Sequence, residues 1–222
     1  MILLGVDTCG SSGSIALGRV DEGRIVLLGQ SELAGGEYAA SLVGAIADLL
    51  TEAEISVADL AGIVAVSGPG SFTGIRIGLS TVKALAEAGE LPVVTVSRLA
   101  LLAAGAGLRC SALDAHRGQV FLGVYAEGEA AREILVTAGE FTLETRLPGP
   151  VAFCEEATAH LLETVVTDVE LLRTPAPTAF AALEFGLAQW LAGEFADVAT
   201  LDGYYLRGAD AKTSAQLISR QG

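Results

Sequence analysis

The chain has 222 residues, 51% of them apolar and only 5% aromatic, and 13 basic against 27 acidic side chains leave a net charge of −14. That charge repels a phosphate backbone and argues against tight, direct binding to RNA or DNA, and no apolar run is long enough to cross a bilayer. Cys9, Cys110 and Cys154 are too far apart for a metal motif or a disulfide framework, which fits a reducing cytoplasm.

The opening MILLGVDTCGSSG lacks a basic stretch and turns polar too early for a secretion signal. ILLGVD reads as a short strand, TCGSSG as a turn, SIALGRV as a second strand, DEG as a tight turn and RIVLLGQS as a third strand. Three strands so closely spaced form an antiparallel meander. From 37 to 53 the pattern is helical, with Leu42, Ile46 and Leu49 on one face and Val43 and Leu50 beside it. GIVAV follows as a buried parallel strand. A helix is expected over 71–89, PVVTV is the next strand, and Ser97 caps a helix through Ala106.

That order, βββαβαβ and a helix, begins again after Gly107. GVDTCGSSGSIALGRV and SALDAHRGQVFLGVYA each give an apolar strand ending in Asp, a polar turn with Gly, and a second strand. Asp7 matches Asp114, and Gly13 roughly matches Gly118. A duplicated α/β unit accounts for this better than coincidence. Further on, VAFCEE and DVELL read as strands and ATAHLLETVV as a helix. TAFAALEFGLAQWLAG is a helix with Phe180, Leu183, Leu187 and Leu191 on one stripe and Gly193 near its end. DGYYLRG is a short terminal strand or extension, and the last residues form a polar tail.

The turn Ser67-Gly68-Pro69-Gly70-Ser71 joins a buried strand to a helix, the place where backbone N–H groups meet anions. It has neither the Walker A lysine (Lys83 lies nearly three helical turns past Gly70) nor the dinucleotide-binding spacing. Gly68 and Gly70 around Pro69 set a special backbone path. Gly74 and Gly78 fall one turn apart on the helix, at a cost in helix stability that close approach of another backbone would offset. Ile75, Leu79, Val82 and Ala86 form a stripe nearby. Two readings stand: ordinary packing on the sheet, or docking of another subunit as well. Arg76 reaches the acidic side of the turn or a partner.

Asp7, followed by Thr8, Ser11, Ser12 and Gly13, either holds magnesium through water beside a turn that cradles phosphate, or caps its own turn. For Asp114, with His116 and Arg117 next to it, capping is the favoured reading. His116 and His160, the two histidines, make no zinc motif. Cys9 lacks a local base, and Glu155 and Glu156 beside Cys154 are poor neighbours for phosphate. No catalytic or metal-binding set emerges from the residues.

GVDTCGSSGSIALG, SGPGSFTGIRIGLSTVKALAEAGELPVVTVSRL, ALDAHRGQVFLGVY and the late YYLRG together resemble the TsaB (YeaZ) family, strongly over most of 1–125 and thinly from 126 to 200. The resemblance implies an actin/hexokinase/Hsp70-like (ASKHA) fold. Its two related domains would each hold a mixed sheet, opened by the antiparallel meander and flanked by helices. The units would run over 1–106, joined by the helix 177–193, and over 107–210 in a smaller, degenerate form, with a polar tail at 211–222. It further implies a non-catalytic subunit that binds TsaD, with the ATPase TsaE, for threonylcarbamoyl transfer to adenosine in ANN-decoding tRNAs. ATP and Mg2+ would be used by the complex and no cofactor would be required by this subunit. tRNA would be met only through the complex, and the isolated chain would pair with itself. Where the catalytic relative has its first metal histidine, this chain reads GGEYAAS.

Carried over by position, the interface residues are Leu42, Ile46, Leu49, Gly74, Ile75, Gly78 and Val82. Gly68, Pro69, Gly70, Ser71 and Phe72 shape the helix start, with Phe72 as a packing anchor. Asp7, Thr8, Ser11, Ser12, Gly13 and Asp114 are a vestigial nucleotide site. On this reading a bulky residue at Gly78 weakens assembly without unfolding the chain. The competing reading is a nucleotide-dependent small-molecule kinase of the same fold.

Overall fold

The computed structural model describes residues 1–137, 147–165 and 169–206. The chain divides into two units, the first built from Met1–Arg98 and Pro177–Tyr204, the second beginning at Leu99.

In the first unit the meander is β1 (Ile2–Asp7), β2 (Ser12–Asp21) and β3 (Arg24–Ala34), and β4 (Leu60–Gly68) and β5 (Val93–Ser97) complete the sheet. The strand order is β3-β2-β1-β4-β5. β1 is antiparallel to β2 and parallel to β4. The β2–β3 turn needs two residues at positive φ, and Glu22 (47°) and Gly23 (76°) supply them. β4, buried almost throughout, carries the continuous apolar run that a central parallel strand requires.

Helices α1 (Tyr38–Glu52), α2 (Phe72–Gly89) and α5 (Ala179–Ala192) cover this sheet. α1 packs on β2, β3 and α2, and α2 packs on β1 and β4. α5 crosses all five strands although it lies far along the chain. Close approach holds it there: a Cβ on Gly5 would stand 2.5 Å from the Ala179 carbonyl oxygen, and one on Gly186 would stand 2.8 Å from Val64. Thr178 caps the helix by accepting from the Ala181 N–H, and Gly193 ends it at φ 72°. Of the expected stripe, Leu183 and Leu187 are buried, Phe180 is half-buried and Leu191 is the exception. α5 buries Ala179, Ala182, Leu183, Gly186 and Leu187, while Leu191 is 54% exposed, because the small residues let the helix settle on the sheet.

The second unit repeats the plan with β6 (Cys110–Asp114), β7 (Gln119–Val124), β8 (Arg132–Thr137), β9 (Val151–Phe153) and β10 (Leu171–Arg173), and with α4 (Glu156–Val165). Its order, β8-β7-β6-β9-β10, matches the first sheet strand for strand. β6 is antiparallel to β7 and parallel to β9, as β1 is to β2 and β4. Two α/β units, each a meander extended by parallel strands and flanked by helices, make the actin/hexokinase/Hsp70-like fold.

One boundary differs from the expectation of 106. α3 (Arg98–Ala106) lies almost wholly in the second unit, since Leu99 and Leu102 pack in one cluster with Leu113, Ala115, Phe121 and Ala152. The tail 211–222, Arg207 and Gly208 of YYLRG, and the stretches 138–146 and 166–168 of the second unit lie outside the described residues. Residues 201–206 form no strand, and Tyr204 N–H donates to the Ser67 carbonyl at 2.8 Å. Among the described residues no helix is long and apolar enough to cross a membrane.

Candidate functional site

The glycine turn after β4 is spoken for from within. Gly68 and Gly70 stand at φ 122° and 159° around a cis Gly68–Pro69 peptide. A Cβ on Gly70 would lie 2.2 Å from the Cys9 carbonyl oxygen. That same oxygen accepts the Ser71 N–H at 2.8 Å. Ser71 in turn caps α2, its hydroxyl accepting from the Gly74 N–H at 3.2 Å. The turn therefore seats the start of α2 against the β1–β2 hairpin.

The two helix glycines serve the same contact. A Cβ on Gly74 would stand 2.0 Å from the Thr8 carbonyl oxygen, and one on Gly78 would stand 2.1 Å from Thr8 Oγ1. Thr8 Oγ1 donates to the Gly74 carbonyl at 2.8 Å. The backbone that approaches α2 is thus the chain's own, just past β1. The expected interface set packs inward in the isolated chain. Leu42, Ile46, Leu49, Gly74, Ile75, Gly78 and Val82 are all buried within the unit, because the apolar stripes of α1 and α2 face the sheet and each other. Among the residues the two helices leave exposed are Ala39, Ala40, Val43, Gly44 and Ala47 on α1, and Phe72 and Thr73 on α2. Val43 is 66% exposed and Phe72 53%. Phe72 is therefore no buried anchor; Arg76 stacks on its ring, 3.8 Å from the centroid.

In the hairpin, Asp7 is 1% exposed, and its Oδ1 accepts the Cys9 N–H at 2.9 Å. Burial pushes its carboxyl above the usual range, against the pull of the Arg98 guanidinium and the Cys9 N–H. Tyr38, absent from the sequence-derived set, closes the same cluster: its hydroxyl donates to the Gly10 carbonyl at 3.0 Å. Burial first, and the Asp7 charge second, raise its phenol to about 12. Its signal in sequence is faint, a single aromatic after GGE. Burial, with Asp7 again adding, keeps the Cys9 thiol well above its usual range, and its S–H donates to the Val66 carbonyl at 3.2 Å. Gly13 lies under the Tyr38 ring, and Ser11 and Ser12 are exposed. Asp7 and Thr8 thus each make a hydrogen bond inside the unit.

In the second unit Asp114 caps its own turn. Its Oδ1 accepts the His116 N–H at 2.7 Å, and its Oδ2 lies 3.0 Å from His116 Nδ1. Its N–H donates to Glu155 Oε2 at 2.8 Å, so a carboxylate stands where a phosphate would need donors. His116 and Arg117 take positive φ (59° and 56°) to make this turn. His160 is exposed on α4. Among the described residues no group of three His, Cys, Asp or Glu could hold a metal ion.

A family model described as "TsaD: tRNA N6-adenosine threonylcarbamoyltransferase" matches residues 31–181. The tRNA threonylcarbamoyladenosine biosynthesis protein TsaB of Bacillus subtilis (strain 168) is 36% identical over 129 residues, covering 56% of this chain and 55% of that protein. The protein of the same name from Escherichia coli (strain K12) is 33% identical over 135 residues, covering 58% and 57%. The chain spans little more than half the length of these curated relatives in the matched region. Among solved structures, YeaZ from Pseudomonas aeruginosa superposes with a TM-score of 0.75 at 26% identity, covering 92% of this chain and 99% of that one.

Proposed function

The chain belongs to the tRNA N6-adenosine threonylcarbamoyltransferase family, and from that premise we propose that it is the TsaB-type member of a tRNA-modifying assembly, a subunit that performs no chemistry alone. It docks a TsaD-type transferase through the outer face of α1 and α2. The observation that carries this reading is the division of labour on those helices. Their large apolar residues and close-packing glycines are consumed within the unit, while Ala39, Ala40, Val43, Gly44 and Ala47 of α1 and Phe72 of α2 stay exposed. Small side chains allow a partner helix to approach closely, and full burial of an exposed Val or Phe is worth about 1.5–3 kcal/mol.

The catalytic groups, ATP and Mg2+ belong to the assembly, with a TsaE-type ATPase as its third member. A chain of net charge −14 meets tRNA only through its partners. The same face pairs two copies when the transferase is absent, and the assembly works in the cytoplasm. Reconstitution tests the proposal. The purified chain leaves unmodified ANN-decoding tRNA unchanged, and adding it to the transferase, the ATPase and the source of threonylcarbamoyl-adenylate restores threonylcarbamoyladenosine. Product formed by the chain alone, or equal yield without it, contradicts the proposal.

A further inference from the structure

We propose that the cavity between α2 and the segment following α5 binds a small phosphate-bearing anion. The cavity measures about 450 Å³, within the range of small-ligand sites. Arg76, Ser80 and Lys83 line it from α2, and Thr200, Asp202 and Gly203 from the opposite wall. Arg76 and Lys83 are the two basic residues of α1 and α2, and one cavity receives both.

The site is built in advance. Lys83 Nζ donates to the carbonyls of Ala199 at 3.2 Å and Leu201 at 3.3 Å. These neutral partners fix the ammonium without cancelling its charge, and an ammonium has a third N–H to give. Stacking on Phe72 fixes the plane of the Arg76 guanidinium, in which its donors lie. The acidic residue of the lining, Asp202, turns Oδ1 to its own neighbour, accepting the Gly203 N–H at 2.7 Å. The Thr200 hydroxyl donates to Asp197 Oδ2 at 3.0 Å, so it contributes no donor to the site. A lysine ammonium and an arginine guanidinium lining one cavity, with the Ser80 hydroxyl between them along α2, are phosphate-binding chemistry. Its lining shares no residue with the glycine turn or the two hairpins.

The test is a titration of the 15N-labelled full chain with inorganic pyrophosphate, and with citrate as a carboxylate control. Saturable shifts confined to amides around 76–83 and 199–203, larger with pyrophosphate than with citrate, are the expected result. Lys83→Ala weakens binding about tenfold or more. Lys83 also pins the opposite wall, so Ser80→Asp gives a second variant that leaves those contacts in place. It abolishes the shifts while the rest of the spectrum stays native. Shifts that do not saturate, that spread over the surface, or that survive both substitutions overturn the proposal. Equal response to citrate overturns the assignment to phosphate.

Discussion

Thr8 occupies the point where the first hairpin meets α2, and two glycines on that helix exist to receive it. Gly78→Ala places a methyl group 2.1 Å from Thr8 Oγ1, an overpacking that costs about 1–3 kcal/mol. Because the clash is with a side chain, Thr8→Ala relieves it. Denaturant unfolding of the two single variants and the double variant should show a favourable coupling of about 0.5–3 kcal/mol. Strict additivity contradicts the contact. Gly74→Ala meets the Thr8 backbone oxygen and has no such rescue.

Asp7 gives the residue scale its pH dependence. Burial raises its folded pKa above the ordinary 3.8 despite Arg98, so the folded chain holds this proton more tightly than the unfolded one. The stability it contributes is complete below about pH 4 and is lost as pH rises through the raised value. Stability profiles of the native chain and Asp7→Asn should therefore diverge above pH 4, with the native chain losing ground relative to the variant. Parallel profiles refute the shift.

At the scale of elements, α1 and α2 bury one apolar stripe each and leave a few apolar residues exposed. The inward stripe, Leu42, Ile46 and Leu49 with Ile75 and Val82, packs on the sheet. The outward face around Val43 and Phe72 does not. Val43→Glu should change thermal stability by no more than about 0.5 kcal/mol, as for other exposed positions, yet weaken partner binding measured by calorimetry. Loss of the fold, or unchanged binding, counts against that face.

Periodicity made the helices and their buried stripes legible in sequence, because a 3.6-residue repeat shows which residues share a side. It does not show which side meets a partner. The interface set carried over by the resemblance falls on residues that the isolated chain buries. Gly74 and Gly78 signalled close approach correctly, but the approaching atom, Thr8, lies 66 residues from Gly74, beyond the reach of local pattern. On α5 the stripe was half legible: Leu183 and Leu187 are buried with Gly186 and the alanines, while Leu191 lies exposed.

Over the whole molecule, duplication was the clearest message. Two apolar strands ending in Asp7 and Asp114, each followed by a glycine-bearing turn, led to two sheets of identical order. The assignment of α3 was hidden because Leu99 and Leu102 would suit either core, and only the second sheet's residues decide it. Tyr38, the hydroxyl that ties α1 to the first hairpin, was invisible among residues chosen for charge or size.

The account rests on a chain whose close-packing groups face inward while the outer face of α1 and α2 waits for a catalytic partner. Hydroxyl-radical footprinting with and without the transferase reads both halves at once. In the free chain Val43 and Phe72 should react while Leu42, Ile46 and Leu49 are already shielded, and the transferase should protect Val43 and Phe72 selectively. Strong labelling of the inner leucines in the free chain, or reactivity of Val43 and Phe72 unchanged in the complex, would contradict it.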